Sequence, residues 1–211
     1  MEISNEVRLV LVGRTGTGIS STGNAILNKD FFKRSVFSVS VTKECKSGES
    51  IRNGTKVIVV DTPGLFNNKL KHDIVTKEIS KCMNLVSKGP HAFIYIFRIS
   101  RHSKEEEQTL VELEDIFGRH FCKYCILFFV TDNPVMDKNT DELVEALPKF
   151  YRELITKCNG RVIIGCAVAE QSETTFAQIR RYQQKISQQE PPYYSKKMFL
   201  ESNSNIKKNV S

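Results

Sequence analysis

Short apolar runs alternate with longer amphipathic stretches along this chain. Val7-Arg-Leu-Val-Leu-Val12, Val57-Ile-Val-Val60, Ala92-Phe-Ile-Tyr-Ile-Phe97, Ile126-Leu-Phe-Phe-Val130 and Val162-Ile-Ile164 read as buried strands. Residues 44–52 are more polar and read as an exposed edge strand. Between these runs, the spacing predicts helices over 20–27, 69–87, 103–117, 140–157 and 174–189. Leu110, Leu113, Ile116 and Phe117 form one apolar face of the third helix. Ser103 with Glu106 predicts a capping box at its start, and Gly118 its stop. Strands alternating with helices make parallel βαβ units and a sheet covered on both faces. Such sheets bind ligands at the carboxyl ends of their strands.

The regular pattern ends at Glu190-Pro-Pro192. Residues 193–201 allow two helical turns, and 202–211 are polar, with Lys207 and Lys208. The expected division is a domain over 6–190 and a basic, flexible tail over 191–211. The chain has 211 residues, 26% of them charged and 40% hydrophobic, which suits one soluble domain with a sizeable core. No apolar run approaches the roughly 20 residues of a spanning helix. The start lacks the basic and apolar regions of a signal peptide, Glu2 rather than glycine follows Met1, and no cysteine stands near the end. A cytoplasmic location is the expectation. Six cysteines include one C-x-x-C, Cys122 and Cys125, without a second pair, and read as reduced structural thiols.

The most informative stretch joins the first strand to the first helix. In Gly13-Arg-Thr-Gly-Thr-Gly-Ile-Ser-Ser21, two glycines stand five apart, as in G-x-x-x-x-G-K-[ST]. Glycines let such a loop curl so that successive N–H groups face a phosphate chain. Gly13, Arg14, Thr15, Gly16, Thr17, Gly18, Ser20 and Ser21 are the candidate phosphate contacts, and Ser20 stands where a hydroxyl would ligate Mg²⁺. Ile19 occupies the place of the lysine. The loss of one or two charge-assisted hydrogen bonds, at about 1.5–3 kcal/mol each, weakens phosphate binding by one to several decades. Arg14, beside the loop, is a candidate replacement charge.

A second motif follows a strand: Val57-Ile-Val-Val-Asp61-Thr-Pro-Gly64. Asp61 would hold Mg²⁺ through water, and Gly64 would offer its N–H to a γ-phosphate. Thr42, in the polar segment upstream, is a candidate switch threonine that meets the metal only in the triphosphate state. The metal candidates are thus Ser20, Thr42 and Asp61.

These residues resemble a family. Gly13 through Leu27, Val41-Thr-Lys-Glu-Cys45 and Asp61-Thr-Pro-Gly-Leu-Phe66 are similar to the immunity-associated GTPases, the GIMAP family with its AIG-type G domain. Gly89-Pro-His-Ala-Phe93 through Arg101, with Glu105-Glu106, resembles a box peculiar to that family, and Ile116-Phe-Gly118 and Cys158-Asn-Gly-Arg161 are similar too. The resemblance spans residues 6–190. It implies a septin-related P-loop GTPase fold: a three-layer α/β sandwich on a mostly parallel six-stranded sheet with one antiparallel edge strand. It implies GTP or GDP with Mg²⁺, and a homo- or hetero-oligomer formed through the nucleotide face.

The departures from the wider GTPase pattern share a direction. Ile19 replaces the lysine. In the base-reading loop Thr131 matches, but Asn133, Pro134 and Val135 stand where Lys and Asp belong, leaving Asp132 to reach the base through a shifted loop. Cys166-Ala167 replaces paired Asn, and Leu65 stands where many small GTPases carry a water-orienting Gln, though the family generally lacks it as well. His91 lies in the box, with Arg101 and His102 nearby as candidates to reach a partner's nucleotide. A histidine beside a strand also serves as satisfied structure. No catalytic residue is assigned. The readings are a guanine-nucleotide-dependent switch or oligomerisation module with weak or no hydrolysis, and a scaffold of the same fold that has lost nucleotide. The net charge of +7 allows docking on an anionic membrane surface as a third. Nucleic acid ranks last, since no recognised motif supports it.

Overall fold

The structure is a computed structural model, and it describes residues 5–33, 42–65, 72–98, 103–131, 140–166 and 172–208. Six strands, β1 (Glu6–Gly13), β2 (Lys46–Arg52), β3 (Thr55–Asp61), β4 (Ala92–Arg98), β5 (Cys125–Val130) and β6 (Val162–Gly165), form one sheet in the order β2-β3-β1-β4-β5-β6. All neighbours pair in parallel except β2, which runs antiparallel to β3 at the edge. This is the mixed sheet that the resemblance implies, and its parallel part is what the alternation of runs predicts. The central strands are buried almost throughout, as strands covered on both faces must be.

Eight helices accompany the sheet among the described residues: α1 (Ile19–Leu27), α2 (His72–Ser80), α3 (Cys82–Leu85), α4 (Lys104–Phe117), α5 (Thr140–Glu145), α6 (Lys149–Lys157), α7 (Ser172–Ile186) and α8 (Lys196–Lys208). Two helices differ from the sequence reading, the first for a local reason. The single helix expected over 140–157 is two, because Pro148 lacks an N–H and takes an extended conformation at the start of α6. The stretch over 69–87 is interrupted at Lys81 between α2 and α3.

At α4, Ser103 takes the N-cap position with extended backbone, and Gly118 closes the helix at a left-handed φ of 77°. The capping box itself does not form. Ser103 Oγ accepts from Arg14 Nη1 at 3.3 Å, and Glu106 Oε1 lies 3.7 Å from Arg14 Nε. A guanidinium outcompetes the helix amides for both side chains.

The chain beyond residue 190 is packed against the domain. Tyr194 is fully buried, with ring centroids 5.1 Å from Phe93 and 5.8 Å from Tyr124. Its hydroxyl donates to the Phe117 carbonyl. Where two turns were allowed over 193–201, α8 runs from Lys196 to Lys208 and rests on α4, with Ser202 Oγ donating to the same Phe117 carbonyl at 3.1 Å. No helix among the described residues is long and apolar enough to cross a membrane. All six cysteines are free thiols, and the described residues hold no His/Cys/Asp/Glu cluster fit for a metal.

Candidate functional site

The carboxyl end of β1 runs straight into the glycine-rich loop, and the carboxyl end of β3 runs into Thr62-Pro-Gly64. Side by side in the sheet, the two segments continue to pair beyond it. Leu65 N–H donates to the Gly13 carbonyl at 3.0 Å and Thr15 N–H to the Leu65 carbonyl at 2.9 Å, while Thr15 Oγ1 donates to the Gly64 carbonyl at 3.0 Å. Thr17 directs both its N–H and its Oγ1 to the Arg14 carbonyl, at 3.2 and 2.9 Å. Thr15 and Thr17 therefore differ from the expectation of inward-facing donors: their donors close the loop.

The amides left over are those of Gly16, Gly18, Ile19, Ser20 and Ser21, which donate to no backbone carbonyl among the described residues. Gly18 caps α1 at φ 99° with no side-chain cap, and no acidic residue stands in the first turn. The positive end of the helix dipole and a set of open N–H groups thus coincide, the general recipe for holding an anion. Thr131 is fixed nearby: Val130, at the end of β5, is the neighbour a Cβ at Gly18 would meet, and Thr131 N–H donates to the Gly165 carbonyl. Asp132 lies outside the described residues, as do Arg101, His102 and Ala167.

Ser20, Thr42 and Asp61 come together. Ser20 Oγ donates to Asp61 Oδ2 at 2.8 Å, Thr42 Oγ1 donates to the same oxygen at 3.2 Å, and the two hydroxyls are 3.2 Å apart. Asp61 is 2% exposed, and its Oδ1 is buried with no hydrogen-bond partner. Burial pushes the carboxyl up to about 6, against the pull of the two hydroxyls and of the Lys46 charge. An orphaned carboxylate oxygen beside two hydroxyls is an all-oxygen donor set, which fits a hard cation such as Mg²⁺.

Other candidates are placed elsewhere. Ile19 is 7% exposed and belongs to the apolar core. Leu65 is fully buried. The Arg14 guanidinium, the candidate replacement charge, is engaged by Ser103, Glu106 and Glu105 at the start of α4. His91 precedes β4, at the end of the sheet opposite the loop, where its Nδ1 accepts from Arg8 N–H at 3.0 Å. There it is satisfied structure. Sequence reading missed the lysines beside Asp61: a cavity of about 250 Å³ is lined by Phe32, Lys33, Thr42, Lys43, Glu44, Lys46 and Asp61. The basic spacing was visible, but nothing local says which lysines face a carboxylate.

The sheet order, the stitched loop and the oxygen trio define the fold of the P-loop GTPases. Solved structures share it: Toc33 from Arabidopsis thaliana in complex with GDP and Mg²⁺ superposes with a TM-score of 0.57 at 16% identity over 78% of this chain and 72% of that one. A dimerization-deficient mutant of Toc33 gives a TM-score of 0.61 at 16% identity over the same shares. Era from Aquifex aeolicus bound to GDP·AlF4⁻ gives 0.57 at 15% identity, over 82% and 56%.

The chain belongs to the AIG1 family, whose profile matches residues 7–211. Among curated relatives from Arabidopsis thaliana, immune-associated nucleotide-binding protein 9 is 37% identical over 161 residues, covering 74% of this chain and 47% of that protein. Immune-associated nucleotide-binding protein 3 is 29% identical over 202 residues, 92% of this chain and 60% of the relative. The chain thus spans about half the length of such relatives.

Proposed function

We propose that this chain binds guanine nucleotide, GTP or GDP, with Mg²⁺, and works as a nucleotide-dependent switch or oligomerisation module with weak or no hydrolysis. The observation that carries the reading is the meeting of Ser20, Thr42 and the half-partnered Asp61 beside the open amides of α1. A buried carboxylate oxygen without a partner is costly in a native fold unless a ligand answers it. Mg²⁺, when held by Ser20, Thr42 and Asp61, supplies positive charge to the phosphates. The open amides of Gly16, Gly18, Ile19, Ser20 and Ser21 bind and orient the phosphate chain, and Gly64 N–H offers a further donor to the γ-phosphate. Family membership, and the complex of Toc33 with GDP and Mg²⁺, support the same ligand class. Leu65, at the position where many small GTPases carry a water-orienting Gln, is apolar and fully buried, which favours slow or absent hydrolysis. Assembly through the nucleotide face accords with the dimerisation named for Toc33.

A specific observation favours a second reading. Ile19, in the core where a phosphate-directed lysine would stand, suits a scaffold that has lost its nucleotide. Equilibrium titration of fluorescent GTP, GDP and ATP analogues, with and without Mg²⁺, separates the two. Mg²⁺-dependent micromolar binding of GTP over ATP is the expected result. Absence of binding assigns the chain to the scaffold class, and equal affinity for ATP removes guanine selectivity.

A further inference from the structure

Arg14, the cation within the loop, has its charge answered by Glu105 and Glu106. The lysine trio on the other side of Asp61 differs. Lys33, Lys43 and Lys46 line the cavity that Thr42 and Asp61 share with the metal trio, and among the described residues none of their ammonium groups makes an ion pair. Lys46 is the best placed. It opens β2 directly opposite Asp61 in the antiparallel register, so the two side chains leave the same face of the sheet. Its charge already acts on the Asp61 carboxylate. A second observation points to a ligand here: Asp61, a lining residue that is nearly fully buried, keeps one carboxylate oxygen without a hydrogen-bond partner. Glu44 is the one other carboxylate in the lining, so the described lining carries three positive charges against two negative.

We infer that Lys46 supplies, from the edge strand, the phosphate-directed charge that Ile19 cannot, and that it acts on the terminal phosphate of a nucleoside triphosphate. This rests on the nucleotide-binding reading above. The direction follows from the layout. Ser20 and the α1 amides lie on the loop side of Asp61, where a diphosphate is cradled. Thr42 Oγ1 stands 3.2 Å from Ser20 Oγ on the same Asp61 oxygen, and of the two hydroxyls only that of Thr42 belongs to a residue lining the lysine cavity; a switch threonine meets the metal only in the triphosphate state, so the terminal phosphate is the one brought to that cavity. An ammonium is a compact point charge on a long flexible stem, so its strand of origin matters less than its reach.

The test is equilibrium binding of GTP and GDP, each with MgCl₂, to the full chain and its Lys46→Met, Lys46→Arg, Lys33→Met and Lys43→Met variants, with thermal melting as the check on folding. Lys46 is exposed, so its variants are expected to melt as wild type does. The expected result is a 10- to 100-fold loss of GTP affinity in Lys46→Met, the size of one charge-assisted hydrogen bond, with less than threefold change for GDP and partial retention in Lys46→Arg. Losses at Lys33 and Lys43 are expected to be smaller. Tight wild-type binding that Lys46→Met leaves within twofold overturns the inference and spares the reading beneath it. Equal losses for GTP and GDP overturn the terminal-phosphate assignment. A wild type that binds neither nucleotide removes both.

Discussion

Gly64 lies so close to Thr15 that a Cβ on it would stand 2.6 Å from both the Thr15 nitrogen and its Cα. The contact is backbone against backbone, so neither side can swing away. Gly64→Ala is therefore expected to destabilise the chain by about 1–3 kcal/mol and to part the two segments that wall the site. A urea midpoint unchanged from wild type would contradict this. Gly16 is the control: a Cβ there meets nothing within 4 Å, so Gly16→Ala carries only the backbone cost of its φ of 86°, about 1–2 kcal/mol.

Asp61 is held in the nucleotide-free chain at a cost. Its carboxyl, raised by burial to about 6 from 3.8, is ionised at pH 8 in a site with one oxygen unanswered. The penalty is up to about 3 kcal/mol. Asp61→Asn is expected to raise the stability of nucleotide-free protein at pH 8 by about 1–2 kcal/mol, and to abolish Mg²⁺-dependent nucleotide binding. Destabilisation of the nucleotide-free form would show that the charge is already satisfied there.

His91 and Asp61 pull stability in opposite directions across the same acid range. Burial, then the Arg8 charge, lowers His91 from 6.5 to about 4. Below pH 6.5 the unfolded chain takes up a proton that the folded one refuses, so this part of the stability is complete above 6.5 and falls away toward pH 4. Asp61, with its folded pKa raised, is most favourable below 3.8 and loses that advantage as pH rises through 6. The wild type is expected to show a shallow net dependence between pH 4 and 6.5. His91→Gln removes the acid-labile part, so its stability relative to wild type should rise as pH falls through this window. Parallel pH profiles for the two proteins would refute the assignment.

The family-like box has a structural use in the seating of the C-terminal segment. Gly89, at φ 106°, leaves no room for a Cβ against the Tyr194 carbonyl oxygen, and Tyr194 N–H donates to the Pro90 carbonyl at 3.0 Å. Gly89→Ala is expected to cost about 2–4 kcal/mol and to expose the segment around Tyr194 to limited proteolysis. Tyr194→Phe, which loses the hydroxyl and its bond to the Phe117 carbonyl, is expected to cost about 1 kcal/mol. Cleavage rates equal to wild type in Gly89→Ala would mean the segment is not held by this contact.

The strands and most helices were legible because each is a pattern within ten or so neighbours. Five buried runs became five parallel strands, and the polar run over 44–52 became the antiparallel edge. Gly13, Gly18 and Ser20 announced a strand-to-helix loop by spacing alone. The failures lie where a side chain had two possible partners. Ser103 and Glu106 have the spacing of a capping box, yet Arg14, 89 residues before Ser103, claims both. Thr15 reads as a phosphate donor, yet its donors go to Leu65 and Gly64. The Pro148 break is itself a local signal, whereas the seat of α8 depends on aromatic rings brought from β4, α4 and Tyr124.

By itself, then, the sequence determined which segments are strand or helix, where the chain curls around a glycine-rich loop, and that the loop lacks its lysine. These follow from side-chain period and backbone freedom, which are properties of neighbours along the chain. Only the tertiary structure decided that Asp61 keeps one oxygen unanswered, that Arg14 turns to α4 and that Lys46 faces Asp61. Each depends on strand order and register, which bring together residues far apart in the chain, such as Lys46 with Asp61 and Arg14 with Ser103, 89 positions on, through the burial of the whole sheet.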